Sequence, residues 1–88
     1  MHSILLHPLA ARSFEKLDKE VRRQLKKRLK ELGEYPEQRG KHLRHTQFWS
    51  LRIGDYRAIY EIKSNEKKVI VLFIGHRDGV YDDFSKLF

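Results

Sequence analysis

The run Phe48-Trp49-Ser50-Leu51-Arg52-Ile53-Gly54-Asp55-Tyr56-Arg57-Ala58-Ile59-Tyr60 constrains this chain more than any other stretch of it. Trp49, Leu51 and Ile53 alternate with Ser50 and Arg52, and beyond Gly54-Asp55 the residues Tyr56, Ala58, Tyr60 and Ile62 alternate with Arg57, Ile59 and Glu61. A period of two on both sides marks strands whose side chains point to opposite faces in turn. Gly54-Asp55 supplies the turn, because a two-residue primed turn needs a residue that accepts positive φ, and glycine has no Cβ to clash there. The expectation is a β-hairpin with one nearly all-apolar face and a second face carrying Ser50, Arg52, Arg57 and Glu61. That polar face is the candidate working surface.

Upstream, Ile4-Leu5-Leu6 is a short apolar run closed by His7-Pro8, since the residue before proline is pushed out of the α region; a first, mostly buried strand over 2–7 is expected. Ala10, Phe14 and Leu17 follow at i, i+4, i+7, so 9–17 is expected to be helical. Asp18 reads as the N-cap of a second helix, with Glu20 at the positive end of its dipole. Val21, Leu25, Leu29 and Leu32 form the apolar stripe of that helix, and Lys19, Arg22, Arg23, Lys26, Lys27 and Lys30 occupy the remainder. Arg28 falls inside the stripe, where its stem can snorkel or its head pair with an acid, and Gly33 with Pro36 stops the helix.

Residues 37–47, with Gly40 and no period, are expected to form a loop leading into the hairpin. After the hairpin, Ser64-Asn65-Glu66-Lys67 is turn chemistry, and Val69 to Ile74 is an unbroken apolar run rich in β-branched residues, expected to be a central strand covered on both faces. Gly75-His76-Arg77-Asp78-Gly79 ends it, followed by Val80-Tyr81 and a helical tail from Asp82 to Phe88. The fold class is α+β: a single two-layer domain over 1–88, with an N-terminal helical hairpin packed on one face of a largely antiparallel β-sheet and the other face open.

An 88-residue chain with 40% hydrophobic content has room for one core. The absence of cysteine excludes a disulfide framework and thiolate chemistry. With no apolar run of membrane-spanning length and no signal-peptide pattern, the cytoplasm is the expected compartment and no membrane partner is expected. His42-x-x-His45 has metal-pair spacing but lacks further Cys, Asp or Glu ligands at matching intervals, so it reads as a polar loop, and neither metal nor cofactor is expected. The net charge of +7 points to a nucleic-acid partner, an acidic protein, or each in turn.

Strand parity puts Arg52 and Arg57 on one side of the hairpin, and the end of the later strand delivers His76, Arg77 and, just beyond, Tyr81. Two guanidiniums that grip a phosphate, with an imidazole and a phenol able to move protons, are what RNA cleavage by its own 2′-hydroxyl requires. The transition state gathers charge on its equatorial oxygens, so fixed arginine donors bind it better than the ground state, and no metal is needed. The alternative is that Arg52 and Arg57 are solvated strand-face residues paired with Glu61 or Asp55, with Tyr81 an ordinary edge aromatic. Arg22 and Lys26 of the basic helix, with Lys41 and Arg44 of the segment after it, are the candidates for contact with a nucleic-acid phosphate backbone; a plain solvated face is the competing reading. Trp49, Tyr56 and Tyr60, at strand spacing, read as packing residues rather than base-stacking ones.

Taken together, the strand, the helix pair, the basic segment with Leu43, the run from Trp49 to Tyr60, the apolar strand and Gly75-His76-Arg77 followed by Val80-Tyr81 resemble the RelE branch of the RelE/ParE toxin superfamily over nearly the whole chain. The resemblance implies a toxin of a type II toxin–antitoxin pair: a ribosome-dependent ribonuclease that cuts messenger RNA in the ribosomal A site. It also implies neutralisation by an acidic, helix-rich, RelB-like antitoxin whose extended helical segment wraps the toxin. Arg57 and Arg77 match the arginines assigned to the scissile phosphate, Tyr81 matches the carboxy-terminal tyrosine that orients the reacting groups, and Arg52 stands where a basic strand residue is expected. The chain departs from the pattern at Ser50, where the best-known RelE-type enzymes carry a lysine implicated in proton transfer, and at His45, where many relatives have glycine. His76 is then the candidate general base, imidazole being the side chain type suited to moving protons near neutral pH. Two other functions fit the same superfamily: a ParE-like inhibitor of DNA gyrase, and a non-catalytic module that binds antitoxin or nucleic acid.

Overall fold

The hairpin forms as its alternation requires. In the computed structural model, which covers residues 1–88, β3 (Phe48–Ile53) and β4 (Tyr56–Lys63) pair antiparallel with Ile53 opposite Tyr56. Gly54 takes φ 59 while Asp55 stays at negative φ, the sign pattern of a type II′ turn with glycine in its first central position. Beyond a 3₁₀ turn at Ser64–Glu66, β5 (Lys68–His76) returns antiparallel to β4. β1 (Ser3–Leu6) joins the far side of β5 in parallel, and the two-residue β2 (Lys41–His42) joins β3 antiparallel. The result is a five-stranded sheet in the order β1-β5-β4-β3-β2, antiparallel except at its β1 edge.

The N-terminal helices pack on one face, as expected. α1 (Pro8–Lys16) starts with proline at its first position, where a missing N–H costs nothing, and the His7 side chain caps it by accepting from the Leu9 N–H at 3.1 Å. α2 (Lys19–Leu32) is capped by Asp18, whose carboxylate accepts from the Val21 N–H at 2.9 Å. Ala10, Phe14, Leu25, Leu29 and Leu32 from these helices meet Leu51, Ile53, Ala58, Tyr60, Val69, Val71 and Ile74 of the sheet in one core. At the end of α2, Gly33 is needed for close approach: a Cβ there would stand 2.7 Å from the His2 carbonyl, where the chain enters β1.

The structure corrects the sequence reading at three places. β1 is not mostly buried: as an edge strand it has one neighbour, and Leu5 and Leu6 remain 45% and 39% exposed. The segment 37–47 is not simply a loop, since it holds α3 (Pro36–Arg39) and β2, elements too short to display a period. The second sheet face is not open along its length. α4 (Val80–Leu87) lies over part of it, with Val80 and Phe84 packed against Ile59 and Leu72 in a second cluster flanked by Phe48 and Phe73. No helix is long and apolar enough to cross a membrane.

A bulge in β5 decides which of its side chains reach which face. Tyr60 pairs with Val71 but Ile59 pairs with Phe73, so Leu72 is an extra residue and the alternation shifts by one beyond it. Ile74 thereby enters the helix-side core beside Val69 and Val71 instead of facing away from them.

Candidate active site

The face that carries α4 also carries the arginines. Arg52 and Arg57 stand directly opposite each other in the β3–β4 ladder, and Ser50 lies opposite Ile59 on the same face. Side chains at opposed positions are neighbours, with Cβ atoms about 4.5–5.5 Å apart, and two like charges in that arrangement repel. Neither arginine is neutralised by the acids nearest in sequence. Glu61 is held by Lys63 at 2.8 Å, and the Asp55 carboxylate lies 3.9 Å from Arg77. Arg52 makes a long bond to the Gly54 carbonyl, 3.4 Å, and half-buried Arg57 has no hydrogen-bond or ion-pair partner in the protein. A partly desolvated guanidinium with all its donors free, facing a second one, is a receptor for an anion.

Tyr81 reaches the same face from the first turn of α4. Its hydroxyl is 3.0 Å from the Oγ of Ser50, which is 4% exposed. Helix α4 is held down by Val80 and Phe84, with Phe84 edge-on to Phe48 at 5.0 Å. Gly75 lets it come close, because a Cβ there would lie 3.1 Å from the Val80 side chain. Ser50 therefore orients the phenol. This contact joins residues 31 apart in sequence, and nothing in the local pattern of either announces it.

Arg77 follows the last residue of β5 and its N–H donates to the Asp55 carbonyl at 2.8 Å, extending the ladder to the hairpin turn. Gly75 is opposite Arg57, so the shifted alternation puts Arg77, two residues on, at the parity of the arginine face. Its guanidinium makes only long contacts, 3.9 Å to Asp55 and 3.7 Å to Asp78.

His76 is not brought to this face. It stands opposite Tyr56, whose parity is that of the helix-covered face, and its ring meets the Tyr56 ring edge-on at 5.7 Å. Its Nδ1 accepts from the Asp78 N–H at 3.2 Å. The bulge at Leu72 is the reason, since unshifted alternation would have placed residue 76 with the arginines and residue 77 away from them.

The remaining predicted basic residues divide between the layers. Arg22 and Lys26 line a shallow groove between α1 and α2 with Phe14 and Lys19, and Lys26 Nζ sits 6.0 Å from the Phe14 ring centre; the groove is on the helix layer, across the sheet from Arg57. Arg44 is exposed in the turn between β2 and β3, and Lys41 lies opposite Ser50. In the His42-x-x-His45 pair, His42 Nε2 is 2.6 Å from the Thr46 carbonyl and its ring lies 4.9 Å from Trp49, while His45 occupies a positive-φ turn position at φ 63. His42 is thus a strand residue packed on Trp49 and His45 a turn residue.

Comparison with known proteins agrees with this architecture. The sequence model of the ParE toxin of the type II toxin–antitoxin system parDE matches residues 4–81. The chain is similar to one in the RelBE2 toxin–antitoxin complex of Mycobacterium tuberculosis, with 26% identity and a TM-score of 0.81 over 86% of this chain and 98% of that one. Similarity to the intact Escherichia coli RelBE complex is 29% identity and a TM-score of 0.77, over 86% and 96%. The isolated E. coli RelE toxin gives 26% and 0.77, over 99% and 98%. No curated protein matches the sequence significantly.

Proposed function

The chain belongs to the ParE toxin family of type II toxin–antitoxin systems, and from that premise we propose that it is a metal-independent endoribonuclease that cuts messenger RNA on the ribosome. The observation that carries the proposal is the opposed pair Arg52 and Arg57, unneutralised and on one face with Ser50 and Tyr81. Opposed cations cost stability in the free protein and become favourable once a phosphate lies between them. In the reaction the RNA 2′-oxygen bonds to phosphorus as the bond to the 5′-oxygen breaks, leaving a 2′,3′-cyclic phosphate and a 5′-hydroxyl. Arg57 and Arg52 hold the phosphoryl oxygens as their charge grows, and Arg77 exchanges its long carboxylate contacts for the same phosphate. Tyr81, fixed by Ser50, orients the reacting groups and gives its phenol proton to the departing 5′-oxygen, while the 2′-hydroxyl proton passes to water, from which the phenolate is then reprotonated. His76, on the other face, takes no part.

The site is an exposed sheet face rather than an enclosed pocket, which fits an enzyme whose substrate is oriented by the ribosome. Arg22, Lys26 and Arg44 are the cations proposed to hold ribosomal phosphates, and the cytoplasm is then the place of action. Two of the similar structures are toxin–antitoxin complexes; a RelB-like antitoxin, acidic to suit a net charge of +7, is accordingly the expected partner.

The family match to ParE supports a second reading, inhibition of DNA gyrase, which would make no use of the arginine pair. One experiment separates the two: purified protein is added to programmed ribosomes with cut sites mapped on the messenger, and to gyrase with supercoiling followed. Cuts on the ribosome that vanish in Arg57→Ala establish the ribonuclease. Intact messenger with blocked supercoiling establishes the gyrase inhibitor.

A further inference from the structure

We propose that Lys41 is a fourth cation of the arginine face, beside Arg52, Arg57 and Arg77, binding a phosphate oxygen of the RNA beside the Ser50–Tyr81 pair; the inference rests on the ribonuclease reading. β2 is only Lys41–His42, and its register sets Lys41 opposite Ser50 and His42 opposite Trp49. Opposed residues share a face, so Lys41 stands with Ser50, Arg52 and Arg57 while His42 points to the helix side. The register is pinned from that side. His42 packs on Trp49 at 4.9 Å and Trp49 stacks on Tyr60 at 6.3 Å. Gly40 brings the chain so close that any Cβ there would strike the Tyr60 hydroxyl and stand 2.9 Å from the Ser50 carbonyl.

A two-residue strand held this firmly presents one exposed side chain to the arginine face, and that side chain makes no hydrogen bond and no ion pair. From strand spacing and rise, Lys41 and Arg57 lie about 12 Å apart on the diagonal, with Ser50 and Arg52 between them. That diagonal is a track of positive charge with the Tyr81 hydroxyl beside it, and it suits the backbone of a single RNA strand crossing β4, β3 and β2. Lys41 takes the phosphate neighbouring the one held by Arg57.

The test is single-turnover cleavage on programmed ribosomes by the wild type, Lys41→Ala, Lys41→Gln and Lys41→Arg, with Lys16→Ala on α1 as a charge-matched control. Lys41→Ala and Lys41→Gln are expected to lose roughly 10–100-fold in rate, the loss of one charge-assisted hydrogen bond. Lys41→Arg should stay within a few-fold of wild type, and Lys16→Ala should match it. The dependence of the sub-saturating rate on salt should become shallower by about 0.7 in logarithmic slope in Lys41→Ala, the signature of one lost phosphate contact. All variants should melt with the wild type, since Lys41 is exposed and unbonded. A wild-type rate in Lys41→Ala overturns the assignment, and so does a loss in Lys41→Arg equal to that in Lys41→Ala. Wild-type protein that cuts no messenger overturns the ribonuclease reading itself, and the role of Lys41 with it.

Discussion

Arg52 and Arg57 put activity and stability in opposition at a single ladder position. Removing one of two opposed cations relieves repulsion, so Arg57→Ala should leave stability unchanged or raise it by about 0.2–1 kcal/mol. The same change should lower single-turnover cleavage about 10²–10³-fold, the usual cost of one transition-state donor. Urea unfolding and ribosome cleavage measured on one preparation check both directions; equal rates for variant and wild type would remove Arg57 from the site. Tyr60 offers a second residue-scale prediction. Its hydroxyl donates to the Pro36 carbonyl at 2.6 Å inside the core, and burial, aided by the Glu37 charge, raises the phenol well above its usual value of 10.0. A folded pKa above the unfolded one means the stabilisation is complete below the unfolded pKa and is lost as pH climbs beyond it. Unfolding free energy should therefore decline above pH 10 or so. Tyr60→Phe should flatten that decline while costing about 1 kcal/mol at neutral pH through the orphaned carbonyl. Identical alkaline slopes in the two proteins would disprove the assignment.

Among the elements, α4 joins the fold to the chemistry. Eight residues are too few for a helix to stand alone in water, so Val80 and Phe84 must hold it against the sheet. Phe84→Ala removes the ring that meets Phe48 and Phe88, each at 5.0 Å. The expected result is local: faster amide exchange confined to α4 and a marked loss of cleavage, because Tyr81 is no longer kept at Ser50, with β4 and β5 protected as before. Exchange that rises uniformly across the sheet would show instead that α4 unfolds only with the whole domain. The hairpin turn makes a simpler case. Gly54 sits at φ 59 with open space around its missing Cβ, so Gly54→Ala should cost about 1–2 kcal/mol from backbone strain alone, read as a lower urea midpoint.

At the scale of the whole molecule, charge and openness act together. A net charge of +7 draws the protein to polyanions generally, but an exposed sheet face does little to orient a flexible substrate. Naked RNA should accordingly be bound weakly and cut poorly, and binding to ribosomes should weaken steeply as salt rises. Efficient, site-specific cutting of naked RNA at physiological salt would contradict the view that the ribosome completes the site.

Features that depend on near neighbours were legible in the order of the residues. The parity of Trp49, Leu51 and Ile53 against Ser50 and Arg52, the Gly54 turn, the Asp18 cap and the Leu25-Leu29-Leu32 stripe are all as the periods require, because backbone sterics and side-chain alternation act within a few residues. The common face of Arg52 and Arg57 was legible for the same reason. Contacts that join distant parts of the chain arose from packing instead. The bulge at Leu72 depends on how β5 settles against β4, and that one extra residue sends His76 to the far face and Arg77 toward the arginines. The meeting of Tyr81 with Ser50 depends on α4 folding back over a face expected to be open, and the alignment of Lys41 with Ser50 depends on a strand of two residues. Two residues carry no period, and a bulge leaves no mark on an unbroken apolar run, so these contacts exist only where the packed chain makes them.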